Sequence, residues 1–504
     1  MNILSLFVAV PVLMILSLFL CKDMKSIRGV AITGASVLVV LTGILATLFL
    51  QERAAGNTAT MLFTSSTVWY EPLNIAYAVG VDGISVLMIA LSSIIVFTGV
   101  FSSWNMKMAK EYFMWYSLLA IGVYGFFISI DLFTMFMFYE VALIPMYLLI
   151  GHWGSGNKEY SAMKLTLMLM GGSAFLMVGI IGIYYAAGHS TMNLLELAQL
   201  NIPIEYQRWL FPATFLGFGV LGAMFPFHTW SPDGHACAPT AVSMLHAGVL
   251  MKLGGYGCFR VAMYLMPEAA NELGWIFLIL TGFSVVYGGL SAVVQTDLKY
   301  INAYSSVSHC GLVLFALLMF NQTAMTGAVM QMLSHGLMTA LFFAIIGLVY
   351  GRTHTRDIRE LGGLMQIMPF ASVAYVIAGF ASLGLPGLSG FVAEMTIFVG
   401  AFQHADLFHR TLTIFACCTI VITAVYILRT VGKILYGPVH NPEHSKLTDA
   451  AWFEKVSLVG LIVAIAFIGC YPSGVSDIIN NSVTPIIEKL NIWGFLKINS
   501  LSIK

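Results

Sequence analysis

The sequence carries very little charge for its size. Only 9% of its 504 residues are Asp, Glu, Lys or Arg, whereas 59% are hydrophobic. Soluble domains carry about a quarter charged residues, because a surface that faces water has to be covered by polar groups. Most segments of about twenty residues are instead apolar enough to cross a ~30 Å hydrocarbon core. The composition therefore excludes a soluble enzyme and predicts an all-α, multi-pass membrane protein.

Cysteine and net charge are also limited, and this restricts the chemistry of the chain. The seven cysteines form no Cys-x-x-Cys pair and lie mostly inside apolar stretches, so they are interpreted as small buried side chains. We therefore expect no metal, no redox centre and no cofactor in this chain. Lys plus Arg and Asp plus Glu both number 23, which leaves no positive excess for binding a nucleic acid.

Apolar runs between polar breaks predict about fourteen transmembrane helices. These predicted spans cover residues 3–21, 29–50, 79–103, 112–130, 132–151, 161–187, 208–230, 238–264, 272–294, 301–320, 324–350, 368–404, 411–434 and 453–472. The twelfth span is too long for one straight helix, so we expect it to be bent or broken. No long polar segment separates the spans, and residues 1–504 are predicted to form a single membrane domain.

Positive charge is distributed unevenly among the connections between spans. The odd-numbered connections hold Lys22, Lys25, Arg28, Lys107, Lys110, Lys158, Lys299, Arg352, Arg356, Arg359, Lys446 and Lys455. The even-numbered connections hold only Arg53, Arg208 and Arg410. Because cytoplasmic loops carry an excess of Lys and Arg, the odd connections are predicted to be cytoplasmic and both termini to lie on the other side.

Three charged residues fall deep inside predicted spans. They are Glu140 in span 5, Lys252 in span 8 and Glu394 in span 12. A charge near the bilayer centre costs several kcal/mol, so each is expected to face the bundle interior and to have a partner or water. Static ion pairs between helices would satisfy this requirement, but three such residues on three spans favour a hydrated path for ions. Lys164 lies nearer a helix end, where a lysine often only reaches toward the surface.

Five histidines in or beside the spans form a second group of candidates. His309 and His335 fall inside spans 10 and 11, where imidazole groups can relay protons near neutral pH. His228 and His235 flank the polar turn after span 7, and His246 begins span 8, so these three are secondary candidates. A single buried histidine is more often simply hydrogen-bonded, but five in one membrane domain favour a proton relay.

Two spans contain helix breakers in their middle. Span 7 reads GVLGAMFPFHTW and span 12 reads SLGLPGLSGFVAE. Proline removes a backbone donor and glycine tolerates unwinding, so we expect helical hydrogen bonding to be interrupted near Gly222–Pro226 and Leu385–Gly390. Two simple proline kinks would also fit, but broken helices in two halves are typical of an inverted-repeat transporter with ion sites at the breaks.

Six stretches together resemble one known family. They are GVDGISVLM, FYEVALIPMYLLIGHWG, FPFHTWSPDGHACAPTAVSMLHAGVLMKLGGYG, QTDLKYINAYSSVSHCG, MLSHGLMTALFF and LGLPGLSGFVAE, in this order from about residue 80 to residue 400. The sequence resembles the antiporter-like proton-channel subunits of respiratory complex I, the NADH:quinone oxidoreductase. Glu394 favours the subunit M family, counterpart of mitochondrial NADH dehydrogenase subunit 4, because the L and N relatives are expected to carry lysine there.

The resemblance implies a fold with two inverted five-helix repeats, spans 4–8 and 9–13, in which spans 7 and 12 are broken. Residues 1–110 would then hold spans 1–3, residues 111–265 the first repeat, residues 266–435 the inverted second repeat, and residues 436–504 the last span and a tail.

The resemblance also implies roles for individual residues. Glu140 would be the glutamate of span 5, Lys252 the connecting lysine of span 8, and Glu394 the outlet carboxylate of span 12, while His309 and His335 would be relay histidines. Quinone reduction in other subunits would drive proton pumping, with flavin, iron–sulfur clusters and quinone in those partners. The expected partners are other complex I membrane subunits, above all antiporter-like neighbours, and lipid in a bacterial cytoplasmic membrane.

One position departs from the family pattern. The family usually places on span 7 a lysine that pairs with the span 5 glutamate, and this sequence has Leu221 there. Either Lys164 replaces that lysine as the partner of Glu140, which we favour, or Glu140 holds a proton at rest.

Two other functions remain open. The shared motifs also suit a subunit of a multisubunit cation/proton antiporter or of a membrane-bound hydrogenase. A structural membrane subunit with a disabled channel is a third alternative, and Leu221 is its only support.

Overall fold

The structure is a computed structural model that describes residues 2–501. The chain is almost entirely helical, with one two-stranded antiparallel hairpin formed by β1 (Leu62–Tyr70) and β2 (Ile75–Val81). The helices are α1 (Ile3–Leu20), α2 (Met24–Ala54), α3 (Gly83–Ser102), α4 (Ala109–Ile128), α5 (Leu132–Trp153), α6 (Lys158–Ala186), α7 (Leu194–Leu197), α8 (Ile204–Leu221), α9 (Trp230–Cys237), α10 (Thr240–Leu245), α11 (Met251–Gly257), α12 (Pro267–Val294), α13 (Leu298–Leu317), α14 (Gln322–Thr353), α15 (Leu364–Ile367), α16 (Pro369–Ser382), α17 (Ser389–Ala401), α18 (Leu407–Leu435), α19 (Trp452–Cys470) and α20 (Pro472–Leu501). The segments His246–Leu250 and Cys258–Met263 are π-helical, and Glu71–Leu73 and Pro442–Lys446 are 3₁₀ turns.

Ten of the described helices are long and apolar enough to cross a membrane alone. They are α1 to α6, α12, α14, α18 and α19, and they coincide with ten of the predicted spans. The predicted spans 7, 8, 10 and 12 correspond to the pair α8–α9, the π-interrupted stretch α10–α11, the polar helix α13 and the pair α16–α17. The total of fourteen crossings and the two inverted repeats remain predictions.

Aspartates set the start of several helices. Asp23, Asp82, Asp131, Asp297 and Asp406 each precede a helix, and each side chain accepts a hydrogen bond from a backbone N–H of the first turn. The first amides of a helix have no partner inside it, so such a cap stabilises the end by about 0.5–2 kcal/mol. All five caps therefore begin spans that the apolar pattern alone located only approximately.

Both predicted breaks are present. Helix α8 ends at Leu221 and α9 begins at Trp230, and between them Ala223 adopts a left-handed backbone with φ of 55°. Helix α16 ends at Ser382 and α17 begins at Ser389, with Gly384 at φ 66° between them. Only glycine adopts such a backbone without strain, which explains why the second break contains several glycines.

Helix α14 forms the centre of the bundle. The most apolar part of α14 is 94% buried, whereas the corresponding parts of α1 and α19 are 28% buried. Helices α3, α13, α16, α17, α19 and α20 all pack against α14. Since an apolar helix that this chain does not cover faces either lipid or another membrane subunit, α1 and α19 lie at the periphery of the chain.

Two elements differ from the sequence prediction. Predicted span 3 begins at residue 79, but residues 75–81 form β2, and α3 begins only at residue 83. The residues after 472 were expected to form a tail, yet Pro472–Leu501 forms α20. Helix α20 packs against α3, α12 and α14, and Asn480 Oδ1 accepts a hydrogen bond from Thr326 Oγ1 at 2.6 Å. Because one face of α20 is polar, a search for purely apolar runs does not detect this helix.

Candidate ion-translocation path

Lys252 lies at the centre of a buried polar group between α11 and α14. Its Nζ donates to Nδ1 of His335 at 2.6 Å and to the carbonyl oxygen of Ala247 at 2.5 Å. Both Lys252 and His335 are 1% exposed. The π-helical segment just before Lys252 makes its turns wider than those of an α-helix. The ammonium is therefore held by two neutral acceptors and by no carboxylate within ion-pair distance in the described part of the chain.

His309 and Glu394 continue this group toward α17. The rings of His335 and His309 have centroids 5.3 Å apart. Nδ1 of His309 lies 3.4 Å from Glu394 Oε1 and accepts from Gln331 Nε2 at 3.0 Å, and its Nε2 lies 3.4 Å from Ser382 Oγ. Lys252, His335, His309 and Glu394 therefore form a contiguous series, and we call these four residues the central path.

The break between α16 and α17 brings Glu394 to the end of the central path. A Cβ on Gly384 would come within 3.2 Å of Glu394 Oε2, so the carboxylate lies against the unwound backbone. Backbone groups freed by a broken helix are tolerated at membrane depth only beside protein or a cavity. At the other end, Lys252 and Gly222 of the first break line one common small cavity. The two breaks thus lie at opposite ends of the central path.

His235 and His246 form a separate pair of buried imidazoles. Their ring centroids are 4.2 Å apart, and His246 stacks on Trp230 at 5.3 Å. Nε2 of His235 lies 3.3 Å from the sulfur of Met251, the residue before Lys252. His228 instead packs against Tyr287 of α12, with ring centroids 4.9 Å apart. The first pair adjoins the central path through Met251, and His228 lies apart from that pair.

The expected direct contact between Lys164 and Glu140 is not formed. Lys164 Nζ pairs with Asp233 Oδ2 at 2.7 Å, and the hydroxyl of Tyr300 donates to Asp233 Oδ1 at 3.0 Å. Asp233 belongs to the short helix α9 that follows the first break, and α9 packs against α6. The expectation of a relocated Lys164–Glu140 pair is therefore wrong as a direct contact, because a nearer carboxylate holds the ammonium.

Glu140 has no ion-pair partner within 4 Å in the described residues. Its Oε1 is buried and has no hydrogen-bond partner there either. Leu221 is fully buried at the last position of α8, where the family pattern has a cation. The first half of the molecule therefore lacks the carboxylate–lysine contact that the resemblance implies for spans 5 and 7.

These residues fall within one known family. The profile of the family described as NADH:quinone oxidoreductase/Mrp antiporter, TM, matches residues 129–423. "NADH-quinone oxidoreductase subunit M" of Rickettsia bellii is 32% identical over 491 residues, which is 97% of this chain and 99% of that protein. The same subunit of Rickettsia prowazekii is 34% identical over 493 residues, again 97% and 99% of the two chains. The chain belongs to this family.

Solved structures show the same fold. A chain of respiratory complex I from Thermus thermophilus superimposes with a TM-score of 0.87 at 24% identity, over 97% of this chain and 99% of that one. A chain of the Mrp complex from Dietzia sp. has a TM-score of 0.82 at 19% identity, with coverage of 97% and 99%. The protein is thus a membrane-embedded, multi-pass member of the NADH:quinone oxidoreductase/Mrp antiporter family with the antiporter-like fold.

The match to the family covers the central path and Glu140. Glu140, Lys252 and Glu394 all lie within the matched residues 129–423.

Two buried cations within the matched residues were not recognised from the sequence. Lys299 was placed in an exposed connection, but it is 4% exposed and its Nζ donates to the carbonyl oxygen of Ala238 at 2.7 Å.

Arg260 is the second buried cation that sequence reasoning missed. It forms an ion pair with Asp82, and both side chains are 1% exposed. The guanidinium carbon lies 5.4 Å from the ring centroid of Tyr256, whose hydroxyl is 2.8 Å from Ser85 Oγ. The available signal was two opposite charges inside predicted spans 3 and 8. Their positions near the ends of those spans made them resemble ordinary interfacial residues.

Proposed function

We propose that the chain is a proton-translocating subunit of an NADH:quinone oxidoreductase, in which quinone reduction by other subunits drives the transfer. Relatives named NADH-quinone oxidoreductase subunit M are 32% and 34% identical to this chain over 97% of its length. The central path carries the proposal, because it is a buried series of groups that each hold or release a proton. A purely structural subunit would not need a lysine without a carboxylate partner in its core.

Proton transfer along the central path would proceed from Lys252 to Glu394. Lys252 would pass a proton to Nδ1 of His335, at 2.6 Å. His335 would then release its Nε2 proton toward His309, whose ring is tilted by 31° with its centroid 5.3 Å away. Nδ1 of His309 faces a donor, Gln331, and an acceptor, Glu394, so it can either lack or carry a proton. Glu394, beside the second break, is the proposed outlet toward the non-cytoplasmic side.

The first half would work with a different set of groups. We propose that Glu140 holds a proton at rest, since the side chain is partly buried, has no cation partner in the described residues, and has one buried oxygen without a hydrogen bond, which favours the uncharged form. Lys164, Asp233 and Tyr300 lie near the end of α6 that is predicted to face the cytoplasm. This cluster is the proposed entry for protons from that side.

The surroundings of the chain follow from the same proposal. Its partners would be other membrane subunits of the complex, above all antiporter-like neighbours, and lipid. Flavin, iron–sulfur clusters and quinone would be bound by those partners, with no cofactor in this chain, so that the chain is part of an enzyme without a redox centre. The location would be a bacterial cytoplasmic membrane with both termini outside.

The two alternatives have weaker support. The similarity to the Mrp complex is at 19% identity and concerns the fold alone, whereas relatives above 30% identity are named as quinone oxidoreductase subunits. A disabled channel is supported by Leu221 only. Leu221 affects the expected contact between spans 5 and 7, and none of the central-path residues takes part in that contact.

A substitution of Lys252 tests the proposal. In the purified complex reconstituted in vesicles, Lys252→Met should lower quinone-coupled proton pumping at least about tenfold while the complex still assembles, because the transferable proton at the start of the path is removed. Lys252→Arg should restore little, since guanidinium releases its proton far less readily. The control is Lys25→Met at an exposed lysine, which should pump normally. Pumping by Lys252→Met at the wild-type rate would reject the central path.

A further inference from the structure

Three side chains with metal-ligating atoms meet at the junction between α17 and α18. They are His404, Asp406 and His409, and one ligand atom from each lies within 4.8 Å of the others. Asp406 is exposed and the two histidines are partly buried. The spacing His-x-Asp-x-x-His supplies two imidazoles and one carboxylate, which is the donor set of many sites for divalent transition metals. None of the three belongs to the central path.

His404 is oriented as a metal ligand usually is. Its Nε2 lies 2.6 Å from the carbonyl oxygen of Met319, and only a protonated nitrogen can form that hydrogen bond. Nδ1 therefore carries the lone pair, and it lies 3.9 Å from Asp406 Oδ1. Ligating histidines almost always donate their second ring nitrogen to a carbonyl or carboxylate in this way, which fixes both the tautomer and the ring orientation.

His409 brings a second nitrogen to the same carboxylate. Its Nδ1 lies 2.7 Å from Asp406 Oδ2, and its ring stacks on that of His404 with centroids 4.3 Å apart and planes at 14°. At this distance Nδ1 donates a hydrogen bond to the carboxylate. A cation between them would take the place of that proton, which would leave His409 protonated on Nε2 instead.

The backbone around the three side chains is held by the rest of the fold. Asp406 caps α18 by accepting from the backbone N–H of His409 at 3.0 Å. Arg410 Nε donates to the carbonyl oxygen of His404 at 2.9 Å, and Asn321 Nδ2 donates to that of Gly400 at 2.9 Å. Metal sites bind well when such supporting contacts fix the ligands in advance, so little ordering would be required on binding.

We propose that His404, Asp406 and His409 form a binding site for Zn²⁺. Nδ1 of each histidine and the carboxylate would supply three ligands, and the exposed position of Asp406 leaves the fourth to water. The site lies after α17, the helix that carries Glu394, on the face predicted to be non-cytoplasmic. A bound ion would link the end of α17 to the start of α18 and restrict any movement of α17.

Zinc binding to the full-length chain tests this proposal. The purified chain in detergent is stripped with a chelator, dialysed against Zn²⁺, and its metal content is measured by mass spectrometry. Asp406→Asn keeps an N-cap residue and His409→Gln keeps a polar side chain, so both variants should fold. We expect each to bind one Zn²⁺ fewer than the wild type, or to bind it at least about tenfold more weakly.

A matched control separates this site from general binding to surface histidines. His440 is exposed and lies outside the cluster, so His440→Gln should bind as much Zn²⁺ as the wild type. Co²⁺ provides an independent signal, because its visible absorption reports coordination by protein ligands, and Asp406→Asn should weaken it. Equal Zn²⁺ binding by the wild type and both cluster variants, or an equal loss in His440→Gln, would overturn the proposal.

Discussion

Single residues decide which half of the molecule carries a continuous polar path. Lys252 contacts only neutral groups and leads through two imidazoles to Glu394. Glu140, in contrast, has a buried Oε1 without a hydrogen-bond partner in the described residues. The family resemblance implies a cation at the position of Leu221, and a cation there would change the electrostatic surroundings of Glu140.

Leu221→Lys is therefore an informative substitution. If the side chain reaches Glu140, the pair that is usual in the family forms and the carboxylate becomes charged, so we expect the pH dependence of proton pumping to shift. Pumping by reconstituted complexes is measured across a pH series, with Leu221→Met as a control of similar volume at this fully buried position. Identical pH profiles for all three proteins would mean that no contact between α5 and α8 participates in pumping.

Among the elements, the broken helices position the charged groups. Gly390 lies at the start of α17, one helical turn before Glu394, and a Cβ there would overlap the carbonyl oxygen of Ala381. Helices α16 and α17 can therefore approach each other this closely only with glycine at this position.

Gly390→Ala should displace α17 and with it Glu394. We expect a destabilisation of about 1–3 kcal/mol, typical of overpacking, and reduced proton pumping. Thermal unfolding and pumping are measured beside Gly432→Ala, since a Cβ on Gly432 in α18 would meet nothing within 4 Å. The control should be at least as stable as the wild type, because alanine is the better helix former. If Gly390→Ala matched the control in both measurements, the close contact at the break would not matter.

At the scale of the whole molecule, one buried ion pair ties distant segments together. Asp82 lies between the hairpin and α3, and Arg260 lies in the π-helical segment at the end of α11. Next to Asp82, the backbone N–H of Gly83 donates to Ser482 of α20 at 2.8 Å. The hairpin, the first half and α20 thus meet at one point that includes a desolvated pair.

Removing one partner of this pair should be costly. Arg260→Met leaves the carboxylate of Asp82 buried and unpaired, and such a loss costs about 3–5 kcal/mol. Adding Asp82→Asn, which preserves the cap of α3, should recover part of it. Thermal unfolding of the purified chain is the measurement, and Arg359→Met, in an exposed ion pair with Asp357, should have no measurable effect. Equal stability of Arg260→Met and Arg359→Met would show that the buried pair contributes nothing.

The sequence by itself determined the membrane class, most helix positions and both breaks. These depend on local properties, namely apolar runs of the length of a bilayer and the backbone geometry of proline and glycine. The charged residues in the middle of spans were also visible, since nothing except function or pairing keeps a charge there. Lys252 and Glu394 were recognised for that reason.

The partners of those charges were decided only by the tertiary structure. Lys164 pairs with Asp233 and Arg260 with Asp82. His404 is oriented toward Asp406 by the carbonyl oxygen of Met319, in the turn between α13 and α14. Which of several carboxylates a lysine reaches depends on how the helices are rotated and packed. A helix that is apolar on all sides has no periodic pattern from which its rotation could be inferred. Helix α20 was missed because its sequence is partly polar and does not form a long apolar run. Only the structure shows that it packs against α3, α12 and α14.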